Sequence, residues 1–134
     1  MLEGVRPALD RIYLLGLTML IVTEGAQERI RLTAQHHKLD SIFSKILEAP
    51  KTERLFRRIR RLVGEHNVAI MIGDQLKSDI RPAKEAGVTT IYVPSRFKPK
   101  WELEDHQTCP DFQVESFNEI VAIVEKTANL CYPA

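Results

Sequence analysis

The spacing of apolar positions in this chain switches period several times between its ends. Ala8, Leu9, Ile12 and Leu15 recur at helical steps, which predicts a helix from about Arg6 to Leu15 with Gly16 as its stop. Leu17-Thr18-Met19-Leu20-Ile21-Val22 is instead a short apolar run. It predicts a buried strand ended by Thr23-Glu24-Gly25, and Gln27–His37 reads as the next helix. Ile42–Leu47 fits either state, with Ser44–Leu47 the better candidate for a short second strand. Pro50-Lys51-Thr52 opens a helix in which Thr52 is the N-cap and Leu55, Phe56, Ile59, Leu62 and Val63 share a face, closed by Gly64. Asn67–Ile72 reads as a third strand, Ser78–Ala86 as a helix ended by Gly87, and the β-branched run Val88–Val93 as a fourth strand. A loop with Pro94, Pro99 and Pro110 follows. Asp111–Val114 is then a short last strand, and Ser116 caps a final helix to about Ala128.

Buried strands that alternate with amphipathic helices predict an α/β fold, a three-layer Rossmann-like arrangement around a mainly parallel sheet. The length, 134 residues, suits one domain with a real core. Ligands of such sheets lie at the carboxyl ends of the strands. Thr23, Lys51, Asp74 and Asp79 all fall at or just after a predicted strand end, so the fold would bring them to one crevice although long stretches of chain separate them.

Their chemistry suits a hard cation beside a phosphate. Asp74 at a strand tip and Asp79 five residues on can face one pocket, where two carboxylates repel unless a cation lies between them. Mg²⁺ fits, because it takes oxygen ligands, keeps waters and bridges to phosphate. The plainer reading makes Asp74 a helix cap and Asp79 an acid in the first turn. Thr23, with Glu24 and Gly25 beside it, can donate to a phosphate oxygen at a helix N-terminus, or can simply cap that helix. Lys51 can offset the charge of carboxylates and phosphate, or can be a solvated surface lysine. As a charge-balancing residue it is expected to weaken phosphate binding when replaced by alanine, with little loss of stability.

Other features narrow the classes. Apolar residues make up 44%, charged residues 28%, and the net charge is +1, so no global field favours nucleic acid or an anionic membrane. Arg54, Arg57, Arg58, Arg60 and Arg61 make one helix basic, but no aromatic residues are interleaved, and they read as a solvent face rather than a nucleic-acid surface. The apolar run Ile12–Val22 is too short for a membrane span and is interrupted by Gly16 and Thr18. The first residues, with Glu3 and no basic leader, do not read as a signal peptide. Cys109 and Cys131 form no metal-type spacing and suggest reduced thiols, hence a cytoplasmic location. His36, His37 and His66 lack partners at metal-ligand spacing. The segment Arg96–Glu102 either folds over the crevice and contributes to substrate choice or is pinned by Phe97 and Trp101. There is no Gly-rich phosphate loop ending in Lys-Ser or Lys-Thr and no Gly-x-Ser-x-Gly elbow.

Taken together, these motifs resemble the haloacid dehalogenase-like hydrolase superfamily. Met19–Gly25 looks like its second motif, a strand ending in a phosphate-binding hydroxyl residue. Lys51 within Ala49-Pro50-Lys51-Thr52 looks like the third-motif lysine, and Ile72-Gly73-Asp74 through Asp79 like the fourth motif, whose acids help hold Mg²⁺. Gly4–Leu9 is similar to the helix that enters the core after a small cap. The resemblance runs from about residue 4 to about residue 125. It implies catalytic roles for Thr23, Lys51, Asp74 and Asp79, substrate binding by Thr23, Glu24, Gly25 and Lys51, a metal held by Asp74 and Asp79, and a phosphorylated small molecule as ligand.

One family element is missing from these residues: no Asp-x-Asp, the first motif that carries the nucleophile and the general acid/base, occurs in the sequence. Asp10 and Asp40 fall in predicted helix or helix-end segments. The chain is therefore expected to be a single core domain over 1–134, N-terminally truncated relative to the family, with its central first strand and its cap absent. In the family's strand order that strand lies between those ending at Val22 and Ile72. The flanking strands would pair directly, or a second copy or partner chain would fill the gap, or the chain would be part of a longer protein. The expected function is a Mg²⁺-dependent phosphatase-type core that lacks a nucleophile by itself. The alternative is a non-catalytic domain that binds a phosphorylated ligand or a protein through the incomplete sheet.

Overall fold

Strands and helices alternate through the computed structural model, which describes residues 5–24, 27–38, 41–64, 68–94 and 108–131. In chain order they are α1 (Val5–Leu14), β1 (Leu20–Thr23), α2 (Gln27–His36), β2 (Lys45–Glu48), α3 (Glu53–Val63) and β3 (Ile70–Gly73). A π-helical turn, Leu76–Ile80, then runs into the short helix α4 (Arg81–Glu85), followed by β4 (Thr89–Tyr92), β5 (Phe112–Gln113) and α5 (Asn118–Cys131). Gly25, Asp40, His66, Asn67 and the segment Arg96–Glu102 lie outside the described residues.

Every strand pairing is parallel, as the alternating pattern predicts. β1 pairs with β2 from Leu20↔Lys45 to Thr23↔Glu48, and β3 pairs with β4 from Ile70↔Thr89 to Gly73↔Tyr92. β5 adds to the far side of β4, with Ile91 opposite Phe112. The sheet is nevertheless split into two ladders, β1–β2 and β3–β4–β5. Among the described residues β1 and β3 do not pair with each other, so direct closure of the gap is not the solution this chain adopts.

Three layers follow from where alternate residues point. Ile70 and Ile72 of β3 pack on a core that holds Leu9 and Ile12 of α1, Ala34 of α2, Ile91 of β4, and Ile120 and Val124 of α5. Met71, between them, faces the opposite side with Phe56 and Ile59 of α3 and Ala83 of α4. Helices α2 and α4 thus lie on opposite faces. Right-handed crossovers on opposite faces of a parallel sheet carry the chain in opposite directions. The β1–β2 and β3–β4 ladders therefore grow outward from a shared middle, with the unpaired edges of β1 and β3 innermost. β5 forms an outer edge, and both of its residues are exposed.

Strand ends follow pairing more than hydrophobicity. β1 begins at Leu20 rather than Leu17, and the ladder is bracketed by Ser44 N to Met19 O at 2.8 Å and Ala49 N to Thr23 O at 3.0 Å. β3, β4 and β5 are likewise shorter than their apolar runs. Helix α3 starts as its cap predicts, with Leu55 N donating to Thr52 Oγ1 at 3.2 Å, an interaction worth about 1 kcal/mol. Leu62, expected on its inner face, is 80% exposed. It lies six residues beyond buried Phe56, which turns it well off the packed stripe.

The helix after β3 begins earlier than Ser78 and in a wider form. Gln75 O accepts from both Asp79 N at 3.0 Å and Ile80 N at 3.2 Å. Pro82 cannot donate to Ser78 O, so a regular α ladder is interrupted at this point and the preceding turn opens to π geometry.

At α5 the capping interaction comes from a carboxylate instead of the Ser116 hydroxyl. Glu119 Oε2 accepts from Glu115 N at 2.7 Å and Ser116 N at 3.0 Å. The Ser116 and Glu115 amides hold the Glu119 carboxyl below the usual glutamate range. A carboxylate whose folded pKa is depressed adds stability that is present above its unfolded pKa and lost as pH falls through the folded value. Stability should therefore decline as pH drops through and below about 4.3, and Glu119→Gln should flatten part of that acid limb. The effect is small because the group is exposed. Denaturant midpoints of the two proteins from pH 3 to 6 measure it, and superimposable curves would show that the cap has no electrostatic part.

Candidate functional site

At the carboxyl ends of the strands, Lys51 leaves β2 just before the Thr52 cap of α3. Its Nζ lies 2.6 Å from Asp79 Oδ1, a residue 28 positions further along the chain. The Asp79 side chain is 4% exposed and that of Lys51 is 20% exposed, so this is a buried ion pair and not a surface one. The second Asp79 oxygen, Oδ2, accepts from Gln75 N at 3.2 Å. The π turn produces this arrangement: it keeps Asp79 above the tip of β3 with its carboxylate directed back across the sheet.

Gly73, the last residue of β3, makes that return approach sterically feasible. A Cβ at position 73 would stand 2.4 Å from Asp79 Cβ and 2.7 Å from Asp79 Oδ2. Those distances are far inside contact, so the site depends on the absence of a side chain here.

From the other ladder, Glu24 Oε1 accepts from Lys51 N at 2.6 Å. Glu24 follows Thr23, the last residue of β1, whose carbonyl accepts from Ala49 N. The tip of β1 is thus fastened to the segment that carries Lys51, and Lys51 is fastened to the turn after β3. The structure brings Lys51 into direct contact with both Asp79, through its ammonium, and Glu24, through its backbone amide. Thr23 and Asp74 stand at the tips of β1 and β3 on the same rim, Asp74 being exposed. Gly25 lies outside the described residues.

The geometry corrects one expectation. Removing the Lys51 ammonium would leave the nearly inaccessible Asp79 carboxylate without its counter-charge, so Lys51 supports stability as well as any ligand. The carboxylates also divide their work. Asp79 has both oxygens engaged by N–H donors, and a cation placed on Oδ1 would meet the Lys51 ammonium. Asp74 is the acid of the pair that faces solvent. No cluster of three or more His, Cys, Asp or Glu side chains suited to a metal ion occurs among the described residues. Mg²⁺ usually takes one or two carboxylates and keeps several waters, so Asp74 fits as a direct ligand in part of its shell, with Asp79 fixing Lys51 nearby.

Sequence reasoning did not identify Gly73 or Gln75 as part of the site. The signal for Gly73 is a glycine at the end of an otherwise apolar strand, immediately before an aspartate. Gln75 acts through its backbone, which leaves no trace in residue type. The basic face of α3 is partly absorbed by local contacts: Arg57 pairs with Glu53, and Arg60 Nη1 donates to Gly64 O at 2.6 Å. Among the described residues no helix is long and apolar enough to cross a membrane.

A sequence model described as haloacid dehalogenase-like hydrolase matches residues 1–93, which is most of the chain. The chain belongs to the haloacid dehalogenase-like hydrolases. Within that family it is 27% identical over 131 residues to a glyceraldehyde 3-phosphate phosphatase of Methanopyrus kandleri, covering 92% of this chain and 56% of the relative. It is 30% identical over 112 residues to a phosphoserine phosphatase of Thermus thermophilus, covering 78% of this chain and 43% of that enzyme. Among solved structures, a haloacid dehalogenase phosphatase of Thermococcus onnurineus superposes with a TM-score of 0.75 at 24% identity, covering 92% of this chain and 58% of that one. A structure titled as a predicted phosphoglycolate phosphatase of Haemophilus somnus reaches 0.77 at 19% identity, covering 91% and 56%. These likenesses establish the fold, incomplete here as an α/β Rossmann-like domain. The chain spans about half the length of the curated relatives it matches.

Proposed function

We propose that this chain is the phosphate- and metal-handling part of a Mg²⁺-dependent phosphohydrolase that acts on a small phosphomonoester. The observation that carries the reading is the largely buried Lys51–Asp79 pair, which joins the segment after β2 to the turn after β3 at the carboxyl ends of the strands. A fixed ammonium at a strand-end crevice stabilises charge on a transferring phosphoryl group because it is already oriented and partly shielded from water. Thr23 donates its hydroxyl to a phosphoryl oxygen. Lys51 balances the charge that builds on those oxygens, and Asp79 holds Lys51 in place. Asp74 supplies a carboxylate ligand to Mg²⁺, which when bound neutralises phosphate charge and orients the group for in-line displacement. The names of the relatives, phosphatases of glyceraldehyde 3-phosphate and of phosphoserine, support a small phosphorylated substrate.

The attacking group is a separate matter. The sequence contains no Asp-x-Asp, so in this proposal the nucleophilic carboxylate comes from outside these 134 residues. That same observation favours a second reading, in which the site binds a phosphorylated ligand without turning it over. A cytoplasmic setting accompanies both readings, in keeping with Cys109 as a free, exposed thiol.

Thermal unfolding in the presence of inorganic phosphate and Mg²⁺ tests the shared core of the proposal. A ligand at ten times its dissociation constant adds about 1.4 kcal/mol, an upward shift of several degrees in Tm. Asp74→Asn should remove the Mg²⁺-dependent part and leave the phosphate part. No shift with either ion would end the proposal. Hydrolysis of an aryl phosphate with Mg²⁺ then separates the two readings: turnover supports the enzyme, and binding without turnover supports the second.

A further inference from the structure

Helix α3 departs from an ordinary solvent-facing helix in two ways. It carries five arginines against one glutamate in a chain whose net charge is only +1, so the rest of the molecule is net negative. A helix face that serves solubility alone mixes both signs. Here Arg54 and Arg58, and again Arg57 and Arg61, stand four residues apart, a spacing at which like charges repel. Arg54 also puts a positive charge in the first turn, where the helix dipole favours an acid. The fold relieves part of this: Glu53 pairs with Arg57, and Arg60 Nη1 donates to Gly64 O. Arg54, Arg58 and Arg61 are exposed, and no carboxylate among the described residues pairs with them. Steps of four and three residues set these three in one row along the helix, about 10 Å long. Leu62, 80% exposed, flanks the row one turn beyond Arg58.

We infer that this row docks an acidic helix of a second protein, which sets three carboxylates against Arg54, Arg58 and Arg61 and one apolar side chain against Leu62. Charge complementarity defines the occupant. Carboxylates three and four residues apart on a helix repeat at the same spacing as the arginines, and a guanidinium grips a carboxylate with two N–H groups where an ammonium offers a point charge. Such a partner removes the repulsion within α3 and covers its exposed leucine together. A long polyanion fits less well. It would run past one helix face onto a molecule that is otherwise net negative, and no aromatic side chain lies in the row for bases to stack on. A lipid surface fits less well too, because Phe56 and Ile59, the apolar face of α3, are spent on the core with Ala83. Nor does a second copy of this chain supply the complement: α1, α2 and α5 carry one, one and two acidic residues, so none presents a row of three. The inference does not rest on the proposed phosphate site, and the two are tested separately.

The test titrates the 134-residue chain into a fluorescent, alanine-based helical peptide at low ionic strength and reads anisotropy. The peptide carries glutamates at i, i+3 and i+7 and a leucine at i−1, the antiparallel complement of Arg61, Arg58, Arg54 and Leu62. We expect saturable one-to-one binding. Arg54→Gln, Arg58→Gln and Arg61→Gln combined should weaken it roughly tenfold, and so should glutamines in place of the peptide's glutamates. Lysines at the same three positions of the chain should weaken it severalfold, because the paired N–H contacts are lost while the charge is kept. The glutamine peptide leaves the chain untouched, so that comparison holds whatever a substitution does to folding. A peptide of the same composition with its glutamates spread around the helix should bind roughly tenfold more weakly as well. Equal binding of that peptide would mean a diffuse attraction with no docking row, and would overturn the inference. Tighter binding of a single-stranded oligonucleotide of equal charge, or of vesicles containing anionic lipid, would overturn it in favour of those ligands. Undiminished binding by the glutamine variant, or no binding of the acidic peptide at all, would also end it.

Discussion

Replacing Lys51 by alanine should destabilise the folded chain by about 3 kcal/mol, the low end of the cost of breaking a buried ion pair by removing one partner. The loss comes from Asp79. Its side chain is 4% exposed, its Oδ2 already accepts from Gln75 N, and nothing else described replaces the ammonium on Oδ1. Asp79→Ala should cost less, because Lys51 is 20% exposed and its long stem can swing the charge towards water. The double variant should be only slightly less stable than Lys51→Ala alone. Urea midpoints of the four proteins give the coupling, expected at about 2 kcal/mol. Strictly additive losses would mean that the contact at 2.6 Å contributes nothing to stability, and Lys51 would revert to a surface residue that acts only on ligand.

Gly73→Ala should be of similar size for a different reason. The new methyl would overlap Asp79 Cβ at 2.4 Å, and a Cβ sits too close to its own backbone to rotate away. The turn from Leu76 to Ile80 must shift instead. Overpacking of this kind costs about 1–3 kcal/mol, and here the Lys51–Asp79 pair is pulled apart as well. A fall in Tm on the order of 10 °C is expected, together with loss of any phosphate-induced stabilisation. Gly87→Ala is the useful comparison, because nothing lies within contact of a Cβ there and its cost arises from a left-handed φ of +82° alone. If Gly73→Ala retained wild-type stability and phosphate response, the close approach of Asp79 would not be what the site requires.

Much of the fold was legible along the chain. The helix over Glu53–Val63 could be located from Thr52 and Gly64, because caps act within a turn of the residues that supply them. The apolar runs gave each strand its place and the alternation gave the parallel sheet. Strand ends were less legible: Leu17 to Met19 are as apolar as the strand they precede, but β2 offers pairing only from Lys45 onward. The inward assignment failed at Leu62, which lies six residues beyond buried Phe56 and is therefore rotated off the packed stripe of α3.

The site was legible as a set of residue types and not as an arrangement. Thr23, Lys51, Asp74 and Asp79 could be picked out because polar residues at the ends of apolar strands have few structural reasons to be there. Which carboxylate faces the lysine and which faces solvent could not. That choice depends on Gln75 O accepting from two amides and on Pro82 having no N–H to donate, a backbone event that opens a π turn and rotates Asp79 inward.

By itself, then, the sequence determined the local elements, the parallel topology, the family and the list of polar residues at the rim, since each of these depends on periodicity, caps or residue type within a short window. Only the tertiary structure decided that Lys51 and Asp79 neutralise each other, that Gly73 must lack a side chain, and that β1 and β3 do not pair with each other among the described residues. Those outcomes depend on contacts between segments up to 28 residues apart and on whether a hydrogen-bonding edge finds a partner, quantities that no local pattern of residues contains.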